Sequence, residues 1–470
     1  MSLRLHDTMT RRLQAVTPLE PGHVRLYTCG PTVWNRAHIG NFRTFLFEDV
    51  LRRWLERSFP RVTHVMNLTD VDDRLIGNAT LHGSGLAEET APWIEGFFAD
   101  VDTLGIRRAH HYPRATGYVE EMVALIERLE ARGITYRSDG GIYFRIAGFP
   151  AYGRLSGIPA AGLVAGMSGR VDADDYTKED VRDFALWKTV GPDDIGWDTR
   201  LGRGRPGWHI ECSAMSMALL GESLDIHCGG VDNIFPHHEN EIAQSEAATG
   251  RPFVRVWCHA EHLTMNREKM AKRFGNFLTL PDLLDAGHRP STIRYLLITG
   301  AHYRRTLEWS AEPLRAAEEA VGRLTEFRDR VRGLGQGSGG EQLGARAEEA
   351  AEAFVRAMDD DLNVPEAVGH LFGAIRDLNR LLDAGTPSAG VKQRLVDLIE
   401  EADDVLGVLP LVDRERAASA PDPEDQELLT QRIAARERRD FAESDRIRAR
   451  LLERGIMVED TAQGQRWKRA

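Results

Sequence analysis

Six residues, PHHENE at 236–241, set two imidazoles and two carboxylates just ahead of the helix-prone stretch IAQSEAA. If a helix starts near Pro236, His237 and Glu241 stand four residues apart and share one face. Such a pair is half of a four-ligand metal site. It is equally the polar crowding that capping and the helix dipole favour at any helix start, and spacing alone leaves both readings open. A second stretch, CGPTVWNRAHIGN at 29–41, has His38 and Asn41 bracketing Gly40 where a strand turns into a helix. Free N–H groups at such a start can receive phosphate. The third, EKMAKRFGNF at 268–277, gathers Lys269, Lys272 and Arg273 in one loop, which serves either as phosphate contacts or as a solvated turn. Four cysteines, Cys29, Cys212, Cys228 and Cys258, are too few and too scattered for a disulfide framework. They are reduced thiols, metal ligands or buried fillers.

The elements around these stretches give them a common frame. HVRLYTCG (23–30) reads as a strand ending in a glycine turn, NFRTFLFEDVLRRWLERSF (41–59) as a helix, and RVTHVMNLTDVDD as a second strand. GESLDIHCGGVD (221–232) and FVRVWCHAEHL (253–263) are further strands, with the PHHENE helix between them. Strand–helix–strand units build a parallel sheet whose ligands sit at the carboxyl ends of the strands. The expected class is α/β, a doubly wound, Rossmann-like catalytic domain in two halves, 1–118 and 205–260, around an insertion at 119–204. The basic loop belongs to 261–316, a helical bundle follows over 317–412, and a small module closes the chain at 424–470. GLGQGSGGEQLG (333–344) reads as a loop and RAASAPDPED (416–425) as a linker.

A chain of 470 residues with 42% hydrophobic and 28% charged residues has the composition of a multidomain soluble enzyme. No run approaches the ~18 apolar residues of a membrane span, and the N-terminus lacks the apolar segment of a secretory signal. A cytoplasmic protein with no membrane contact is expected. The net charge of −12 is unevenly spread: residues 431–470 hold 11 Arg plus Lys against 7 Asp plus Glu, or +4. A basic tail on an acidic chain fits a docking surface for a polyanion, and equally a solvated helix face.

Several stretches in order then carry a resemblance: CGPTV with HIGN, NLTDVDD, FALWK, GRPGWHIECSAM, the GGVD segment, PHHENEIAQS, KMAKR, MDDDLNVPEA and GIMVEDTAQGQRWKR. With them the chain resembles the cysteinyl-tRNA synthetases, a family of class I aminoacyl-tRNA synthetases, over nearly its whole length. The resemblance implies activation of L-cysteine by ATP and its transfer to the 3′ end of tRNA-Cys. It implies that His38, Gly40, Asn41 and Lys272 meet ATP, accompanied by Mg²⁺, with Lys269 and Arg273 near the developing charge. Gly230 and Asp232 fall to the ribose, and Thr69, Trp208 and Cys29 to the cysteine side. It further implies one zinc held by Cys29, Cys212, His237 and Glu241. His209 and His227 either line the pocket or serve structure, and Cys228 and Cys258 are read as buried fillers. The KMSKS-type motif stands here as KMAKR, with Ala271 and Arg273 where serines are expected. The partners implied are tRNA-Cys, L-cysteine and ATP, the bundle and tail hold the tRNA with Trp467 as a stacking residue, and a monomer is expected. The nearest rival activates cysteine for a small amine, as the mycothiol-pathway ligases do; a catalytically dead tRNA-binding homologue is a third reading.

Overall fold

The computed structural model describes residues 2–158, 180, 182–270, 277–461 and 464–469. Four short strands rich in Val, Leu, Ile and aromatic residues form the central sheet. In spatial order they are Val254–Ala260, Leu224–Gly230, His23–Thr28 and Arg61–Met66, and every pairing is parallel. Their near-continuous burial is what a parallel sheet covered on both faces demands. The strand order reverses between His23–Thr28 and Leu224–Gly230, which opens a crevice beyond the carboxyl ends of these two strands. Cys29 leaves one of them and Gly229–Gly230 ends the other, so these two distant stretches meet at the crevice.

The helix Ile39–Ser58 follows the first strand and buries fourteen of its twenty residues, Asp49 among them. Arg294 reaches that carboxylate at 2.6 Å, and both side chains are fully buried. Breaking such a pair strands a charge in the interior, which costs roughly 3–5 kcal/mol.

Five antiparallel strands between Thr135 and Pro206 make the inserted sheet, ordered Thr135–Ser138, Gly141–Phe144, Phe184–Thr189, Gly202–Pro206 and Trp197–Thr199. The helix Val119–Ala131, expected inside the insertion, shares a core with Ile142, Phe144, Phe184 and Leu186 of the inserted sheet and also packs on the helices Trp208–Leu220 and Glu239–Thr249. Its apolar stripe, Met122, Val123, Ile126 and Leu129, shares one core with Ala243 and Ala247. Helices Ala311–Gly333, Glu341–Asp359, Val364–Ala384 and Ala389–Leu406 supply the helical region.

The chain divides into two compact units, 1–408 and 409–470. The second holds helices Leu409–Ser419, Pro423–Glu437 and Phe441–Glu453 and a hairpin of Ile456–Thr461 with Gly464–Arg469. The expected linker at 416–425 is therefore helical to Ser419, and its extended part is short. A core of Leu428, Leu429, Ile447, Leu451, Ile456 and Val458 takes Trp467 against it, half-buried. Much of the tail's positive charge is spent internally. Arg432 and Arg436 pair with Asp460, and Arg450 and Arg454 with acids at 422–425. Among the described residues no helix is long and apolar enough to cross a membrane.

Candidate metal centre and nucleotide turn

PHHENE does not cap its helix with side chains. The regular helix begins at Glu239 after an irregular turn, Ile234–His238, and no side chain caps it. All five residues from His237 to Glu241 are buried, and each has a task. Glu239 accepts the N–H groups of Gly153 and Ser156, both at 2.8 Å, while Asn240 accepts the Tyr152 hydroxyl. These two residues clamp the YGRLSG turn. His237 and Glu241 face the other way, with Nε2 and Oε1 3.1 Å apart, as the four-residue spacing anticipates.

Two overlapping groups of buried donors meet there: Cys29, Cys212, His237 and Glu241, and Cys29, His227, His238 and Glu241, the ligand atoms of each lying within 4.8 Å of one another. A tetrahedral zinc with bonds of about 2.0–2.3 Å sets its donors about 3.3–3.8 Å apart. In the first group His237 Nε2 and Glu241 Oε1 are 3.1 Å apart, close to that span, whereas in the second His238 Nε2 lies 3.9 Å from the same oxygen, just beyond it. Thr8 Oγ1 is 2.7 Å from His259 Nδ1, His259 Nε2 is 2.8 Å from His238 Nδ1, and His238 Nε2 is 3.3 Å from Cys29 Sγ. Burial lowers His259 to about 3 and His238 well below its ordinary range, so both rings are neutral, each with one N–H. With the Thr8 hydroxyl donating, every ring passes an N–H onward and His238 Nε2–H points at the Cys29 sulfur, leaving no lone pair for a metal; with that hydroxyl accepting, the run reverses and His238 Nε2 keeps its lone pair.

His227 Nε2 sits 3.0 Å from Glu241 Oε2, and Glu241 Oε1 is buried without accepting a hydrogen bond. One carboxylate oxygen is thus oriented by a supporting imidazole while the other is left for a cation, the arrangement that orients ligating carboxylates. His237 keeps Nε2 toward Oε1, with Nδ1 3.0 Å from His209 Nδ1 and its ring stacked on Trp208 at 4.4 Å. Burial first, then the neighbouring Cys212, raises the Cys29 thiol well above its ordinary value. Cys212 is drawn down by its hydrogen bond with Cys29, but burial and Glu241 outweigh that and raise it. Glu241 is raised by burial against the pull of His227. Without a cation this pocket favours protonated donors, and a bound cation releases those protons. The donor set thus suits a thiophilic divalent metal. Cys228 and Cys258 lie opposite one another across the sheet, both fully buried, outside either group.

The HIGN turn lies just along the chain. His38 caps the helix Ile39–Ser58: its Nδ1 accepts the Asn41 backbone N–H at 3.2 Å, and the Asn41 Oδ1 accepts the His38 N–H at 3.1 Å. In the neutral ring this fixes the proton on Nε2, making His38 a donor. A side chain at Gly40 would put its Cβ 2.9 Å from His38 Nδ1, so only glycine lets the ring fold back. At Gly230 a Cβ would meet Asp232 Oδ1 at 2.6 Å. Thr69 is buried and tied to the loop that leaves Cys29, donating its N–H to the Pro31 carbonyl and accepting that of Val33. Ile39 N–H bonds to the Leu278 carbonyl at 2.8 Å and His38 pairs with Thr279, so the segment after KMAKRFGN is stitched onto the HIGN turn. The backbone of Lys269 pairs with Thr264 in a short hairpin. Ala271, Lys272 and Arg273 lie outside the described residues.

His238, His259 and Thr8 are not singled out by the sequence. His238 is half of the same HH pair, and His259 stands at the carboxyl end of a strand, where the ligand rule points.

This crevice on a parallel sheet, with a glycine turn opening a helix beside buried thiols, places the chain among the class I tRNA synthetases. The family described as the tRNA synthetases class I (C) catalytic domain matches residues 15–319, a DALR domain matches 353–410, and the cysteinyl-tRNA ligase anticodon binding domain matches 420–467. A cysteine–tRNA ligase of Solibacter usitatus is 45% identical over 470 residues, covering all of both chains. One of Protochlamydia amoebophila is 43% identical, covering 99% of this chain and 98% of its own. The Mycobacterium tuberculosis methionyl-tRNA synthetase in complex with methionyl-adenylate shares the fold at TM-score 0.59 and 15% identity, over 82% of this chain and 90% of that one. The chain belongs to the cysteine–tRNA ligase family.

Proposed function

We propose that this enzyme activates L-cysteine with ATP and transfers it to the 3′-terminal adenosine of tRNA-Cys. The cysteine carboxylate attacks the α-phosphorus, pyrophosphate leaves, and a terminal ribose hydroxyl then takes the cysteinyl group from the adenylate with release of AMP. In-line positioning and charge stabilisation carry such transfers, with little acid or base required. His38 donates through Nε2–H to a phosphate oxygen, Gly40 and Asn41 give the nucleotide a close backbone, and Gly230 with Asp232 meet the ribose. Lys272 and Lys269 neutralise charge on the leaving pyrophosphate, together with Mg²⁺ carried by ATP. Thr69 and Trp208 bound the cysteine side.

A zinc ion held by Cys29, Cys212, His237 and Glu241 would bind the substrate sulfur as thiolate. The observation that carries this reading is the set of four buried donors beside the HIGN turn, with Glu241 Oε1 accepting no hydrogen bond. Transfer to a small amine is disfavoured by the anticodon-binding match at 420–467. In that module Phe441 is 58% exposed next to Arg438 and Arg439 at the turn between two helices, an apolar face with cations for unpaired bases. We assign stacking to this residue rather than to Trp467, which packs on the module's own core. The setting is a monomer in the cytoplasm. Cysteine-dependent ATP–pyrophosphate exchange together with charging of tRNA-Cys is the test; absence of exchange with cysteine overturns the reading.

A further inference from the structure

Tyr27 stands two residues before Cys29 on the strand His23–Thr28, so the two side chains leave the same face of the sheet. Its Cα partner on the neighbouring strand is His227, and the two rings meet edge to face with centroids 5.0 Å apart. Tyr27 is fully buried, in one core with Cys29, Cys212, Ile242 and Trp257. Its hydroxyl is sealed from solvent and makes no hydrogen bond of ordinary geometry. The polar side chains around it include Cys212, Cys29 and Glu241, with the Cys212 sulfur within hydrogen-bonding reach. A phenylalanine would fill this space without burying a polar atom, whereas a buried hydroxyl left without a partner is destabilising.

The proposed zinc gives that hydroxyl a task. A divalent cation held there faces three negative charges, from two thiolates and a carboxylate, and a substrate thiolate adds a fourth. Buried anions in such excess need donors aimed at them. His227 already meets Glu241 Oε2 at 3.0 Å, on the carboxylate side of the site. Tyr27 lies beside it on the sulfur side, and a phenol keeps its proton at neutral pH and can donate it. Resting on the proposed zinc reading, we infer that Tyr27 is a positioning residue whose hydroxyl donates to the Cys212 sulfur when the metal is held, fixing that ligand and offsetting its charge.

In the full-length enzyme, Tyr27→Phe removes one hydroxyl and keeps the ring. Competition against a chromogenic chelator should show zinc held about 10- to 100-fold more weakly, the usual cost of losing an outer partner of a metal ligand. With cobalt in place of zinc, the thiolate-to-metal charge-transfer bands should move to longer wavelength, because a sulfur that accepts no hydrogen bond gives up its electrons more readily. The zinc-free variant should melt no lower than the zinc-free unaltered protein, since the hydroxyl has no partner there. Added to Cys212→Ser, the same change should cause little further loss of zinc, because the acceptor sulfur is already gone. Zinc affinity within about twofold, with unmoved cobalt bands, overturns the inference. So does an equal fall in melting temperature with and without zinc, which would give the hydroxyl a packing role alone. Absence of zinc from the unaltered enzyme on elemental analysis refutes the metal reading and this inference with it, and is seen before any variant is made, so it stays distinct from failure at Tyr27.

Discussion

The two donor groups around Glu241 make opposite demands, and removal of one ligand separates them. In Cys212→Ser a hydroxyl of nearly the same size replaces a buried thiol, so packing is kept while a soft ligand becomes a hard one. Structural zinc sites bind with about 10–16 kcal/mol over four ligands, or about 2.5–4 kcal/mol for each. Losing one should weaken zinc about 10²- to 10³-fold or more. His237→Asn should match it. His227 and His238 touch Glu241 Oε2 and Cys29 Sγ as supporting partners. Changing either to asparagine should cost only about 10- to 100-fold. The assay is competition for zinc against a chromogenic chelator of known affinity, with thermal melting to confirm the fold and elemental analysis to give one zinc per chain in the unaltered protein. The reasoning fails if the order reverses: zinc held within tenfold by Cys212→Ser but lost from the His227 and His238 variants would make those two histidines the ligands.

Serine should be rejected by several orders of magnitude in exchange, and a chelator should erase the preference, because an apolar pocket alone separates such close analogues by only ~1–3 kcal/mol; a small ratio with zinc bound would remove the metal from selection. Truncation after Ser419 should impair charging far more than exchange, whereas equal loss of both would give the terminal module a folding role. Lys272→Ala should lower the rate of adenylate formation with a smaller change in cysteine affinity; unchanged exchange kinetics would take the basic loop out of the chemistry. His64 and His259 are each lowered to about 3, by burial first and then nearby positive charge, while the unfolded chain titrates near 6.5. The unfolded state therefore binds the extra protons, and stability falls as pH drops from about 6.5 toward 3, steepening to about 2.7 kcal/mol per pH unit for the pair. At pH 5 the loss is about 4 kcal/mol. His64→Gln should remove about half of this contribution in urea unfolding at pH 7 and pH 5, and an unaltered slope would show that His64 titrates normally when folded.

What is legible in the sequence is local and periodic. The strand 23–30 and helix 41–59 follow from their apolar spacing, and the His237–Glu241 pair from the four-residue repeat of a helix, which survives even though the regular helix starts three residues later. The role of Glu239 is not legible, because its partners are backbone N–H groups at Gly153 and Ser156, more than eighty residues away, and backbone donors leave no mark in composition. The amphipathic stripe of the helix Val119–Ala131 says that it packs, but not that its core joins the inserted sheet to Ala243 and Ala247 of the helix Glu239–Thr249. Charge counting misleads in the tail for a related reason. A +4 excess reads as a surface, but Arg432 and Arg454 are tied to Asp460 and to acids at 422–425.

Function at this crevice depends on how short its wiring is. Cys29 is one residue past the end of a strand, and nine residues later His38 starts the helix whose cap fixes the His38 tautomer. Thr69 lies within the loop after the neighbouring strand and holds residues 31–33 in place through two backbone hydrogen bonds. On the proposed reading, with Cys29 on the metal and His38 on a phosphate, a shift of the Cys29 sulfur would pass through this tethered loop to the phosphate donor. Side-chain selection and adenylate chemistry would then share one segment. An amino acid unable to engage the metal would leave its carboxylate out of line with the α-phosphorus as well as losing a bond. That coupling favours discrimination appearing in the rate of adenylate formation more than in the affinity for serine, since misplacement at a reacting centre costs transition-state interactions that ground-state binding does not use.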